Sequence, residues 1–105
     1  MVHMSELPAI TPSGIDSLPG PEWMLLDVRT DAEWADGRIE GSIHIPLDQL
    51  MERVDEVSDK VVCICALGGR SARATAYLLS TGREAINLDG GIEAWAADNR
   101  PLTKG

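Results

Sequence analysis

Lys60-Val61-Val62-Cys63-Ile64-Cys65-Ala66-Leu67-Gly68-Gly69-Arg70-Ser71 is the stretch that decides the fold. Residues 60–65 are apolar almost throughout and rich in β-branched side chains, the composition of a strand covered on both faces and central in a sheet. Gly68-Gly69 then breaks the chain. From Ser71 to Ser80, Ala72, Thr75, Ala76 and Leu79 share one face of an amphipathic helix, and Gly82 is its C′ residue. A buried strand that runs through a glycine-rich loop into a helix is part of a βαβ unit, and it predicts a parallel sheet.

The flanking sequence repeats this alternation. Residues 23–28 (WMLLDV) form a second short apolar run, and Thr30-Asp31-Ala32-Glu33 reads as an N-cap with an acidic first turn. Gly37 and Gly41 punctuate a loop before a strand at 42–45, which Pro46 stops. Leu47, Leu50, Met51 and Val54 fall at i, i+3, i+4 and i+7, predicting an amphipathic helix over 47–57. Residues 85–88 form a last strand, Gly90-Gly91 a turn and residues 92–97 a last helix. Pro8 to Pro21 reads as a loose entry with a short strand at 9–11. The architecture expected is α/β: a mainly parallel central sheet with helices on both faces. In such sheets the crevice lies at the carboxyl ends of the strands, here Asp27–Thr30, Pro46 and, above all, Cys65–Arg70.

Composition narrows the classes. The 105 residues make one domain, and with 4% aromatics and no Phe its core is built from Ile, Leu, Val and Ala. Lys and Arg total 9 against 17 Asp and Glu, a net charge of −8, which repels nucleic acid and anionic lipid. No apolar run approaches the roughly 20 residues that span a bilayer, and no basic, then apolar, N-terminal stretch reads as a secretory signal. Cys63 and Cys65 are too close in one strand for an ordinary disulfide, and no second pair exists to complete a zinc site. The compartment expected is a reducing cytoplasm.

Chemistry concentrates in the loop. A thiol at Cys65 faces the positive end of a helix and several unpaired N–H groups, the setting that favours thiolate. Gly68 and Gly69 let the backbone curl into an anion nest, and Arg70 adds a forked, permanent cation. Cys65 is the candidate nucleophile, with Ala66, Leu67, Gly68, Gly69, Arg70 and Ser71 as its anion-binding loop. Cys63, in mid-strand, reads as an inert buried thiol. Asp27, Arg29 and His44 read as structural support near the site, Trp34 and Trp95 as packing, and Gly90-Gly91 as turn chemistry.

Four separated motifs together resemble the single-domain rhodaneses, a family of sulfurtransferases: Leu26-Asp27-Val28-Arg29 with Glu33-Trp34; Gly37-Arg38-Ile39-Glu40-Gly41-Ser42-Ile43-His44-Ile45-Pro46; Cys65-x-x-Gly68-x-Arg70; and Asn87-Leu88-x-Gly90-Gly91-Ile92-x-x-Trp95. The resemblance runs from Ile10 to Leu102. It implies the three-layer rhodanese fold, with residues 10–102 as the domain, 1–9 as a flexible N-terminal segment and 103–105 as a C-terminal tail. It also implies a ping-pong reaction in which Cys65 takes a sulfane sulfur from thiosulfate or a persulfide, carries it as a persulfide and passes it to a thiol or cyanide. The resemblance admits a protein as donor or acceptor, and it implies no cofactor or metal. The sequence departs from the family at Arg38, where His is common, and at Arg83, where an aromatic is common; both are expected at the surface. The loop interior from Ala66 to Gly69 carries no cation.

Three other readings compete. Phosphatases and arsenate reductases use a similar cradle, but as Cys-x5-Arg, whereas Cys65 and Arg70 enclose x4. An interaction module on the same fold usually lacks the cysteine. A persulfide carrier acting with a protein partner would use the same chemistry.

Overall fold

The computed structural model describes residues 7–18 and 22–104. Most of the expected flexible segment at 1–9 lies outside the described residues. The chain forms β1 (Ala9–Ile10), α1 (Pro12–Ile15), β2 (Met24–Asp27), α2 (Asp31–Asp36), β3 (Ile43–His44), β4 (Lys60–Ile64), α3 (Gly69–Ser80), β5 (Glu84–Leu88) and α4 (Gly91–Ala97). The strands join in the order β1-β5-β4-β2-β3. Every neighbouring pair is parallel, with Leu26 opposite Cys63 and Cys63 opposite Asn87. β4 is therefore central, as its apolar sequence predicts.

Alternation along β4 builds two cores. Val61, Cys63 and, just past the strand, Cys65 join Leu26, Leu50, Ala74 and Leu78 on the face covered by α3. Val62 and Ile64 pack with Ile39, Leu88, Ile92 and Trp95 on the face covered by α4 and α1. Successive strand side chains point to opposite faces, so one apolar run feeds both layers.

Two local expectations need correction. Residues 47–57 form no continuous helix but two 3-10 turns, Leu47–Gln49 and Val54–Glu56. Leu50 N–H bonds Leu47 O and Val57 N–H bonds Val54 O, so the inward spacing is three residues, and Met51 is left 73% exposed. Residues 9–11 do not form one strand either. β1 ends at Ile10 because Thr11 caps α1, its hydroxyl accepting from Gly14 N–H with Pro12 in the first turn. The helix beginning the loop–helix unit ends as expected: Gly82 (φ +89°) follows the last turn, with Gly82 N–H on Leu79 O and Arg83 N–H on Leu78 O, a Schellman cap.

Arg38 and Arg83 are half-buried rather than superficial. The Arg38 guanidinium stacks over Trp34 at 4.7 Å, and its backbone exchanges hydrogen bonds with Thr103, which anchors the start of the expected tail. Arg83 donates to the carbonyls of Val54 and Val57. No helix among the described residues is long and apolar enough to cross a membrane.

Candidate active site

β4 ends at Ile64, and the next residue, Cys65, begins the turn into α3. Gly68 adopts φ +109°, a backbone conformation that suits glycine, and this turns its N–H back to the Cys65 Sγ at 3.0 Å. Ser71, buried in the first turn of α3, places its hydroxyl 3.2 Å from the same sulfur. Cys65 is only 1% exposed. That burial works to raise its pKa, but the Ser71 hydroxyl and the N–H groups of Ser71, Gly68 and Leu67 outweigh it and hold the thiol below its usual value. No backbone N–H turns to the Cys63 sulfur. Burial pushes its pKa up to about 12, against one hydrogen bond with Thr75.

The loop is held from behind by α4. Ile92 N–H donates to Cys65 O at 2.9 Å and Glu93 N–H to Ala66 O at 3.1 Å. In a trans peptide the N–H points opposite to the carbonyl, so these two bonds aim the N–H groups of Ala66 and Leu67 away from α4, into the cradle. The approach is so close that a Cβ on Gly91 (φ +58°) would lie 2.2 Å from Cys65 O and 2.6 Å from Ala66 O. Gly91 thus sets the loop's seat as well as turning the chain. Asn87 of β5 completes the support: its Nδ2 donates to Gly68 O at 3.1 Å, and its Oδ1, 2.5 Å from the Ser71 hydroxyl, shares that hydroxyl's one proton with the Cys65 sulfur.

Arg70 is placed otherwise than a free anion donor. Its Nη1 and Nη2 meet Glu33 Oε1 and Oε2 at 2.6 and 2.9 Å, a fork-to-fork pair between α3 and α2. Arg70 lowers the Glu33 carboxyl to about 2, burial opposing and Thr30 assisting. Thr30 and Glu33 also cap α2 reciprocally, Thr30 N–H on Glu33 Oε1 and Glu33 N–H on Thr30 Oγ1. Glu33 and Asn87 enter the sequence reading as members of the resemblance motifs, without a role at the site. Glu33 also reads there as part of the acidic first turn of a helix.

Asp27 and Arg29 are buried together, the Arg29 guanidinium on the Asp27 carboxylate at 2.8 Å and on Gly37 O at 2.7 Å, tying the β2 end to the 37–41 loop. His44 Nε2 lies 2.7 Å from Arg29 O, and the ring stacks on Trp34 at 4.7 Å. Trp95 packs in the core with its Nε1 on Pro101 O. Two hollows flank the Arg70–Glu33 pair. One, of about 320 Å³, is lined by Val28, Thr30, Pro46, Leu47 and Arg70; the other, of about 290 Å³, by Glu33, Asp36, Ala66 and Glu93. A larger hollow of about 520 Å³ lies at the opposite end of β4, beside Lys60, away from the loop. Among the described residues no cluster of His, Cys, Asp or Glu is placed to hold a metal ion.

A strand-end sulfur ringed by N–H donors suits a nucleophile that carries a negative product. The family model described as the Rhodanese-like domain matches residues 15–98. The chain belongs to the rhodanese-like family. It is 40% identical over 82 residues to a sulfurtransferase of Allochromatium vinosum, covering 75% of this chain and 77% of that protein. It is 32% identical to the thiosulfate sulfurtransferase GlpE of Pseudomonas fluorescens SBW25, over 88% and 87% of the two chains. Among solved structures, a rhodanese-related protein of Thermoplasma volcanium superposes with a TM-score of 0.81 at 30% identity, covering 91% of this chain and 97% of that one.

Proposed function

We propose that the protein is a rhodanese-type sulfurtransferase that works through a Cys65 persulfide. The observation that carries this reading is the backbone N–H groups turned on one sulfur at the end of the central strand: Gly68 N–H at 3.0 Å, with those of Leu67 and Ser71 beside it. The Cys65 thiolate attacks the outer sulfur of thiosulfate or of an alkyl persulfide. A Cys65–sulfur bond forms, the donor's S–S bond breaks, and its electron pair leaves with sulfite or with the alkyl thiolate. A thiol or cyanide acceptor then attacks the terminal sulfur and returns Cys65 as thiolate. The N–H ring stabilises the charge before and after transfer, so nucleophilic and electrostatic catalysis share the same groups. The x4 spacing from Cys65 to Arg70 leaves a cradle one residue smaller than the phosphatase loop, which favours a sulfur atom over a phosphoryl group. Leu67, 72% exposed on the loop, offers an apolar contact to a protein donor or acceptor beside the sulfur. The compartment this reading assigns is a reducing cytoplasm, where both thiols stay free.

Intact mass after incubation with thiosulfate or cysteine persulfide tests the proposal. Wild-type protein and Cys63→Ala should gain one sulfur atom that cyanide removes, and Cys65→Ser should gain none. Sulfur retained in folded Cys65→Ser, or lost in folded Cys63→Ala, would assign the chemistry to the other thiol.

A further inference from the structure

We infer that Glu33 is a specificity-determining residue: by occupying both arms of the Arg70 fork it withholds the loop's only cationic side chain from the donor, and so favours donors of low charge, alkyl persulfides, over the thiosulfate dianion. The inference rests on the sulfur-transfer reading and goes beyond it in naming the donor class.

Three observations converge on it. The pair lies at the mouth, since Arg70 lines one hollow beside the loop while Glu33, with Ala66, lines the next. The other cation lining these two hollows, Arg29, is 5% exposed and already bound to Asp27 and Gly37 O. The remaining charged groups around the two hollows are carboxylates: Asp48 in one, Asp36 and Glu93 in the other. Side chains therefore offer an arriving anion no net attraction, and the chain as a whole carries −8. What stays available is the partial positive charge of backbone N–H groups and of the first turn of α3. These suit the single charge of a persulfide, R–S–S⁻, whose outer sulfur moves to Cys65 while RS⁻ leaves and takes up a proton from water. Thiosulfate brings two charges and releases sulfite, itself a dianion at alkaline pH. Both its entry and its exit need a cation that Glu33 holds.

Glu33→Gln isolates this effect, because glutamine keeps an oxygen for the Thr30 cap while it removes the charge and the second acceptor of the Arg70 fork. The measurement is the single-turnover rate of Cys65 persulfide formation, by intact mass, with thiosulfate and with cysteine persulfide at one low ionic strength. Glu33→Gln should raise the thiosulfate rate on the order of tenfold, the lower end of a charge-assisted hydrogen bond because the pair is one-third exposed. The cysteine persulfide rate should change by no more than about twofold on the same argument. Added salt should erase the gain. Arg70→Gln, which bares Glu33, should slow thiosulfate selectively, and the double variant should return near wild type. Glu84→Gln, an equal change of charge on an exposed residue at the end of the sheet away from the loop, should leave thiosulfate almost unaltered. A matching rise in Glu84→Gln, or no selective effect in either Glu33→Gln or Arg70→Gln, would overturn the inference and leave sulfur transfer standing. Wild-type protein that accepts sulfur from neither donor would overturn both.

Discussion

Cys63 and Cys65 lie two residues apart on one face of one chain segment, in the same core cluster, and are 0% and 1% exposed. Their thiols nonetheless respond to the fold in opposite directions, one pushed up to about 12 and the other held below its usual value. Burial is common to both, so burial does not set reactivity here. The difference is backbone direction. Around Cys63 the N–H groups are committed to the ladders with β2 and β5. One residue past the strand the ladder stops, and the N–H groups of Leu67, Gly68 and Ser71 turn to the sulfur instead. A nucleophile is made by where the sheet ends.

Breaking the seat of the loop should erase that difference most strongly. In Gly91→Ala the new methyl would stand 2.2 Å from Cys65 O, and backbone is what must yield. Displacement of the loop by even about 1 Å costs on the order of a hundredfold in rate, and overpacking of this kind costs about 1–3 kcal/mol in stability. Gly82→Ala is the control: its φ of +89° is equally unusual, but nothing lies within 4 Å of its Cβ. It should lose a little stability and keep its rate of persulfide formation. If Gly91→Ala stays folded and loads sulfur at the wild-type rate, the hydrogen bonds from Ile92 and Glu93 do not orient the cradle.

How much of this contrast is legible in the sequence follows from the range of each interaction. β4, the glycine break and α3 are local, and the run from Lys60 to Gly82 shows them. The face α3 buries, however, is Ser71, Ala74, Thr75 and Leu78, and of the expected stripe Ala72, Thr75, Ala76 and Leu79 only Thr75 is fully buried. The turns after Pro46 were harder to read, because Leu47, Leu50 and Val54 satisfy a helix stripe and a series of three-residue turns alike, and only the exposure of Met51 separates the two. The Arg70–Glu33 pair joins residues 37 apart on different helices. Spacing cannot show it, since it depends on β2 lying next to β4 in the sheet. Gly91 looks like half of a turn until the carbonyls of Cys65 and Ala66 are seen against it.

Removing one donor should sharpen the comparison more gently. Ser71→Ala deletes the hydroxyl 3.2 Å from the Cys65 sulfur and leaves the N–H groups in place. The pH at which persulfide formation reaches half its maximum should move upward. Below that pH the rate should drop about tenfold, as expected for one hydrogen bond to a charged group. At alkaline pH, where the thiolate is complete in both proteins, the two rates should converge. A uniform loss across all pH values would mean that Ser71 acts on the donor or the loop and not on ionisation.

The smallest effect lies in the pH dependence of stability, where the two thiols should again differ in sign. Native Cys63 keeps its proton up to about 12, while an unfolded cysteine loses it near about 8.5. Between those values the unfolded chain binds fewer protons, so stability falls as pH rises. Cys65 behaves oppositely: its native pKa is depressed, so its contribution is complete above the unfolded pKa and is lost as pH falls through the native one. By pH 9 the Cys63 effect amounts to about 0.8 kcal/mol, from a shift worth about 1.4 kcal/mol per pH unit once the unfolded thiol has ionised. Denaturant unfolding of wild type and Cys63→Ala from pH 7 to 9.5 isolates it, since the methyl group removes the proton without adding a polar atom. The variant should lose a fixed increment at neutral pH and then decline less steeply than wild type. Parallel curves would mean that the Cys63 thiol ionises alike in the folded and unfolded chains, and the contrast with Cys65 would then rest on geometry alone.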